Sequence, residues 1–151
     1  FLPILIQSSV SPDQVDRLYR LYSSHSIVIS PEFARMDNAN YDFSMQTYFV
    51  LGGEDPEGFW HDLIHSVVKN CKMVFSCSDK EAAIIGHATK CYADIKAAFF
   101  AQLSDYYGKD DINFDIVRQI LTHDPKIGQY SPRDNAENIS LNSFINFYIG
   151  K

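Results

Sequence analysis

His61-Asp62-Leu63-Ile64-His65 sets two imidazoles four residues apart, a spacing that puts both on one helix face within reach of a single zinc ion. Metalloproteases with this spacing carry glutamate at the second position as general base. Here the residue is Asp62, with a shorter arm, and no third ligand follows at a suitable spacing. A small hydrolase built on the pair is therefore a minor reading, and no metal site is expected. The competing expectation is an amphipathic helix with Phe59, Leu63, Val67 and Trp60 toward the core and the histidines on a solvated flank. Gly52-Gly53 and Gly58 stand between an apolar run and that helix, where a phosphate loop would sit. Their spacing is neither GxGxxG nor GxxxxGK, and Glu54, Asp55 and Glu57 would repel an anion, so a tight turn is expected. Cys71, Cys77 and Cys91 show no CxxC pairing and no obvious base, which predicts reduced structural thiols. Asn138-Ile139-Ser140 has the pattern of a glycosylation sequon, set aside for want of a secretory signal. Ser30-Pro31-Glu32-Phe33 differs from these. It follows an apolar β-branched run, at the edge where open α/β sheets bind ligands, and Glu32 there could orient water or a proton.

The elements that must position these residues alternate. Ile4–Val10 predicts a strand, and Ser11-Pro12-Asp13-Gln14 a capping box with proline at the first helical position. Val15, Leu18, Tyr19 and Tyr22 give that helix one buried face. Ser26–Ser30, Thr47–Leu51 and Lys72–Cys77 predict further strands, with a helix over Phe59–Val68 before the last of them. This order predicts crossover units and a mainly parallel, partial doubly wound α/β sheet of about four strands, covered on both faces. Ser78-Asp79-Lys80-Glu81 is a second capping box, and the chain beyond it predicts a helix of roughly 29 residues, about 43 Å long. One apolar stripe on it runs through Ile84, Ala88, Tyr92, Ile95, Phe99, Leu103 and Tyr106. A second runs through Ala93, Ala97, Phe100 and Ala101. Two apolar faces need two partners, and the expected second partner is another copy of the chain, giving a homodimer through residues 79–107. A shorter helix is expected over Phe114–Thr122, and a polar tail follows Pro125 until the apolar patch Phe144–Ile149. The expected division is an α/β domain over 1–77 and a long helix with a helical dimerisation region over 78–151.

Composition bounds the partners. The 151 residues carry 13 Lys+Arg against 19 Asp+Glu, a net charge of −6, with no basic stripe for a phosphate backbone, so neither nucleic acid nor an anionic membrane surface is an expected partner. No apolar run approaches the roughly 20 residues that span a bilayer, and Phe1–Ile6 is too short and lacks the basic flank of a signal peptide. A cytoplasmic protein is expected.

Several segments together resemble one family, the UDP-glucose/GDP-mannose dehydrogenases, over its middle portion. Ile6-Gln7-Ser8-Ser9-Val10-Ser11-Pro12 resembles the family's strand and STVPPG loop, and Ser30-Pro31-Glu32-Phe33 its NPEF segment. Phe49–Glu57 is similar to its IVIGGDDPE stretch, Lys80–Tyr107 to its central dimerising helix, and Asp124-Pro125-Lys126-Ile127-Gly128 to its DxRIG turn. The resemblance implies oxidation of a nucleotide sugar to a uronic acid with NAD. It carries Ser9 onto the family's loop threonine, a cofactor-side and catalytic position, and Glu32 onto its catalytic glutamate. Phe33, Lys90 and Lys126 fall at substrate-binding positions, Lys126 in place of an arginine that reaches the neighbouring subunit. The departures are as specific. The GxGxxG strand-loop-helix has no counterpart, Gly86 stands at the catalytic lysine, Lys90 at an asparagine, and Met36 at an acid. Gln129–Asn135 replaces the glycine-rich approach to the nucleophilic cysteine, and no cysteine follows Cys91. The expectation is a truncated or degenerate homologue that binds no NAD and oxidises no nucleotide sugar by itself. The alternative is a non-catalytic dimeric binding or assembly module.

Overall fold

The computed structural model describes residues 2–34, 38–107 and 112–128. Met36, the sequon at 138–140, the segment 129–135 and the apolar patch 144–149 lie outside the described residues. The chain divides into two compact units, residues 1–89 and 90–151.

The first unit is a three-layer α/β sandwich. Its strands are β1 (Pro3–Ile6), β2 (Ser26–Ile29), β3 (Tyr48–Gly52) and β4 (Met73–Cys77), in the spatial order β1-β2-β3-β4. β1 pairs with β2 in parallel, and β3 with β4 in parallel. The sheet is mainly parallel, as its alternation with helices predicts. The β2–β3 junction is antiparallel and held at Ile29↔Gly52, so the two parallel pairs point in opposite directions.

Helix α1 (Pro12–Leu21) begins at the expected capping box: Ser11 N–H donates to Gln14 Oε1 at 2.8 Å and Gln14 N–H to Ser11 Oγ at 3.3 Å. Strand alternation sorts the core. Ile27, Ile29 and Val50 pack on one face with Val15 of α1 and with Ala82 and Ala83 at the start of α4 (Asp79–Tyr107). Val28, Phe49 and Leu51 pack on the other with Ile64 of α3 (Phe59–Val67) and Val68. This corrects the expected inward face of α3 at three of its four positions, Trp60 alone turning inward as expected. Phe59, Leu63 and Val67 are exposed, while Trp60, Ile64 and Val68 turn inward. The helix starts at Phe59 as expected, and packing against Val28, Phe49 and Leu51 selects the Trp60-Ile64-Val68 row over the Phe59-Leu63-Val67 row. Asp55 receives the backbone N–H groups of Trp60 and His61 at 2.9 and 3.0 Å, and a 3₁₀ turn (Pro56–Gly58) with Glu57 at φ 56° sets the first α-helical residue at Phe59. The short helix α2 (Ala39–Met45), absent from the sequence reading, adds Phe43 to this face, edge-on to Phe49 at 5.6 Å.

Helix α4 has the predicted 29 residues. Ser78 N–H and Oγ each donate to Glu81 Oε2 at 2.8 Å, and Glu81 N–H donates to Ser78 Oγ, which closes the second capping box. In the second unit Cys91, Ala97 and Phe100 are buried. That unit adds α5 (Phe114–Leu121), capped by Asn113, whose Oδ1 accepts from Asp115 N–H at 3.2 Å. Its following turn closes on the Asp124 carbonyl, which accepts from Ile127 and Gly128 N–H, with Gly128 at φ 68°.

Candidate functional site

Parallel register brings the two strand–loop motifs to one sheet edge. Ile6 pairs with Ile29, and Ser30 N–H continues the ladder by donating to the Ile6 carbonyl at 2.8 Å. Ser9 and Glu32 each lie three residues past that last pair, and both are exposed. Phe33 turns back, half-buried, onto Tyr48 with ring centroids 5.3 Å apart. Ser9, Glu32 and Phe33 are thus at the same edge, as their positions after paired strands require.

Behind Glu32 the chain is buried. Ser30 is fully buried, and its Oγ finds no hydrogen-bond partner among the described residues. Pro31 is buried against α4 at Gly86, where an added Cβ would meet Pro31 Cβ at 2.8 Å. That is closer than carbon atoms approach, so the helix passes this loop only because residue 86 has no side chain. Lys90 and Lys126 both lie in the second unit and are exposed. Lys126 N–H donates to Asp124 Oδ1 at 2.9 Å, which directs the backbone of its turn.

A cavity of about 670 Å³ opens elsewhere in the first unit, where β3 and β4 end, and includes Tyr19, Ser26, Gly53, Glu54, Cys77 and Asp79 in its lining. Sequence reasoning missed it. The signal lay in two strand ends, Gly53-Glu54 and Cys77-Ser78-Asp79, that parallel pairing carries to one place. Tyr19 OH donates to the Ile27 carbonyl at 3.1 Å. Burial, and then the carboxylates of Asp79 and Glu54, push its pKa up to about 12. Burial pushes the Cys77 thiol up as well, reinforced by Glu81 and Asp79. Both groups are therefore held in their protonated forms, which suits hydrogen-bond donation and not nucleophilic attack.

The starts of α1, α3 and α4 do not fit a dinucleotide pyrophosphate. Such a group needs a glycine-rich turn and open N–H groups at a helix start. Here the starts of α1, α3 and α4 are occupied by Gln14 and Ser11, by Asp55, and by Glu81. The Gly52-Gly53 turn, with Gly53 at φ 106°, leads into Glu54 and Asp55 rather than into an open helix end. His61 and His65 are exposed on the flank of α3, as expected.

No protein-family model matches the chain. The UDP-glucose 6-dehydrogenase of Campylobacter jejuni is 22% identical over 129 residues, which cover 84% of this chain and 33% of that protein. Among solved structures, the GDP-mannose dehydrogenase of Pseudomonas aeruginosa in a ternary complex superposes with a TM-score of 0.66 at 16% identity, over 81% of this chain and 30% of that one. The UDP-glucose dehydrogenase of the archaeon Pyrobaculum islandicum gives 0.65 at 19% identity, over 83% and 31%. The chain thus spans about a third of the length of that curated relative. In sequence and in fold it is a partial counterpart of the nucleotide-sugar dehydrogenases.

Proposed function

We propose that this chain is a nucleotide-sugar dehydrogenase-like module that associates as a dimer and does not itself oxidise a nucleotide sugar. The observation that carries this reading is Gly86. At the position that the resemblance gives to the catalytic lysine, the space a side chain would need is filled by buried Pro31. Lysine is thus replaced, and the packing of the SPEF loop is built on its replacement. The three cysteines lie at 71, 77 and 91, ahead of the segment where the family's nucleophile falls, so no thiolate is available there for a covalent intermediate.

Exposure on α4 supports the dimer. Ile84, Tyr92, Phe99 and Tyr106 of the predicted stripe are at least half exposed, whereas Ala97 and Phe100 of the other stripe are buried. An uncovered aromatic and aliphatic row of this length is what a second copy would bury. Ser9, Glu32 and Phe33 of the first unit are the residues assigned to any retained nucleotide-sugar binding, and Lys90 and Lys126 of the second unit are carried by the resemblance alone. NAD is not assigned to this chain, and no membrane or nucleic acid partner is. Cys71, Cys77 and Cys91 remain thiols, which suits the reducing cytoplasm.

Light scattering on the chain, combined with an assay for NADH formation from UDP-glucose and GDP-mannose, tests both halves. The expected result is a dimer that Phe99→Asp converts to a monomer, with no NADH formed by either. Turnover by the unaltered chain would overturn the non-catalytic reading. A monomer at micromolar concentration would overturn the dimer.

A further inference from the structure

We propose that His61 and His65 form a two-imidazole site for a divalent transition-metal ion of the borderline class, copper or zinc, on the outer surface of α3. The two rings stand with centroids 4.7 Å apart and planes at 61°, one helical turn from each other. Nitrogens sharing one tetrahedral ion through bonds of about 2.0 Å lie about 3.3 Å apart, a separation that rotation of two exposed side chains on rings this close can reach. The neighbouring carboxylate selects the nitrogen. His61 Nδ1 lies 3.1 Å from Asp62 Oδ1, and a carboxylate only accepts, so Nδ1 carries the proton and the lone pair of the neutral ring is at Nε2. A histidine whose second nitrogen is held by a carboxylate is the arrangement that orients imidazoles at metal centres.

The surroundings favour a cation. No lysine or arginine occurs between Arg35 and Lys69, while Glu54, Asp55, Glu57 and Asp62 crowd the start of α3. Lys69, in the turn past the end of α3, donates to the Ser66 carbonyl at 3.1 Å. The backbone of α3 is fixed by the Asp55 cap and by Ile64 and Val68 in the core, so the two imidazoles sit on a rigid support. Among the described residues no third histidine, cysteine or carboxylate completes the group, so water fills the remaining positions. The site is thus open rather than structural, and it is independent of the proposed loss of dehydrogenase chemistry.

Copper(II) is the probe, because it tops the affinity order for nitrogen ligands and reports its ligands in its electron paramagnetic resonance spectrum. The full chain is titrated with copper by calorimetry and by that spectrum, beside His61→Ala, His65→Ala and, as a control for stray imidazole, His25→Ala. The expected result is one copper per chain at micromolar concentration with a two-nitrogen signature. His61→Ala and His65→Ala each lose about tenfold or more in affinity and drop to one nitrogen, and His25→Ala changes neither. Asp62→Asn, which keeps the helix and both imidazoles, weakens binding without removing a nitrogen. Circular dichroism confirms that the variants fold, as expected for exposed positions. A requirement for millimolar copper in the unaltered chain, or an unchanged affinity and spectrum in folded His65→Ala, would overturn the proposal.

Discussion

Replacing Gly86 by alanine pits two effects of known size against each other. In an open helix the change stabilises by about 0.5–1 kcal/mol, because glycine loses more backbone freedom on folding. At this site the new methyl would meet Pro31 Cβ at 2.8 Å, more than half an ångström inside the 3.4 Å at which ordinary contact begins. Pro31 is a buried ring that cannot rotate away, so α4 or the Ser30-Pro31 loop must move, an overpacking that costs about 1–3 kcal/mol. The repulsion wins by about 1 kcal/mol, which for a chain of this size lowers Tm by about 2–4 °C. Thermal unfolding followed by circular dichroism measures it. Pro31→Gly removes the opposing Cβ, so the double variant should recover about 1 kcal/mol beyond additivity. A rise in Tm for Gly86→Ala, or additivity in the cycle, would refute the reasoning and reopen position 86 to a functional side chain. Gly86→Lys is expected to unfold the loop further and to yield no NADH.

Tyr19 offers a pH test. Its pKa in the fold is about 12, above the ordinary value of 10.0, so the folded chain holds the phenolic proton longer than the unfolded one. This contribution to stability is complete below pH 10 and is lost as pH rises toward 12. Tyr19→Phe, which gives up the hydrogen bond to the Ile27 carbonyl, should therefore be less stable by about 1 kcal/mol at pH 7 and show a shallower decline between pH 10 and 12. Denaturant titrations at several pH values measure both effects; parallel declines in the two proteins would reject the assignment. Ser30→Ala removes a buried hydroxyl without a partner among the described residues, so it should leave stability unchanged or raise it by up to about 1 kcal/mol. A loss of more than 1 kcal/mol in the same titration would show that the hydroxyl is bonded.

What the sequence makes legible here is what local chemistry decides. Ser11-Pro12-Asp13-Gln14 and Ser78-Asp79-Lys80-Glu81 each contain both halves of a reciprocal hydrogen-bond pair, and both helices begin where those pairs close. The absence of proline between Ser78 and Gly108, with only Gly86 as a weak interruption, is enough to predict a 29-residue helix. The inward face of α3 was not legible, because the Phe59-Leu63-Val67 and Trp60-Ile64-Val68 rows are both apolar and only packing against the sheet chooses between them. Asp55 reaches past a 3₁₀ turn to Trp60 and His61 and secures the start at Phe59, while the sheet takes Ile64 rather than Leu63. Helix α2 carries no side-chain cap bond at Asn38 and buries no residue fully, so neither propensity nor periodicity announces it. Sites divide along the same line. Ser9 and Glu32 come to one edge because each follows, at the same offset, a strand of one parallel pair. The cavity beside Tyr19 could not, because it depends on the reversal at Ile29↔Gly52, one antiparallel contact that brings the start of β2 beside the ends of β3 and β4. That reversal is a choice between two sheet topologies with the same strands and the same hydrophobic pattern. Long-range packing settles it, and packing also turns Gly86 from a permissible helix residue into a required one.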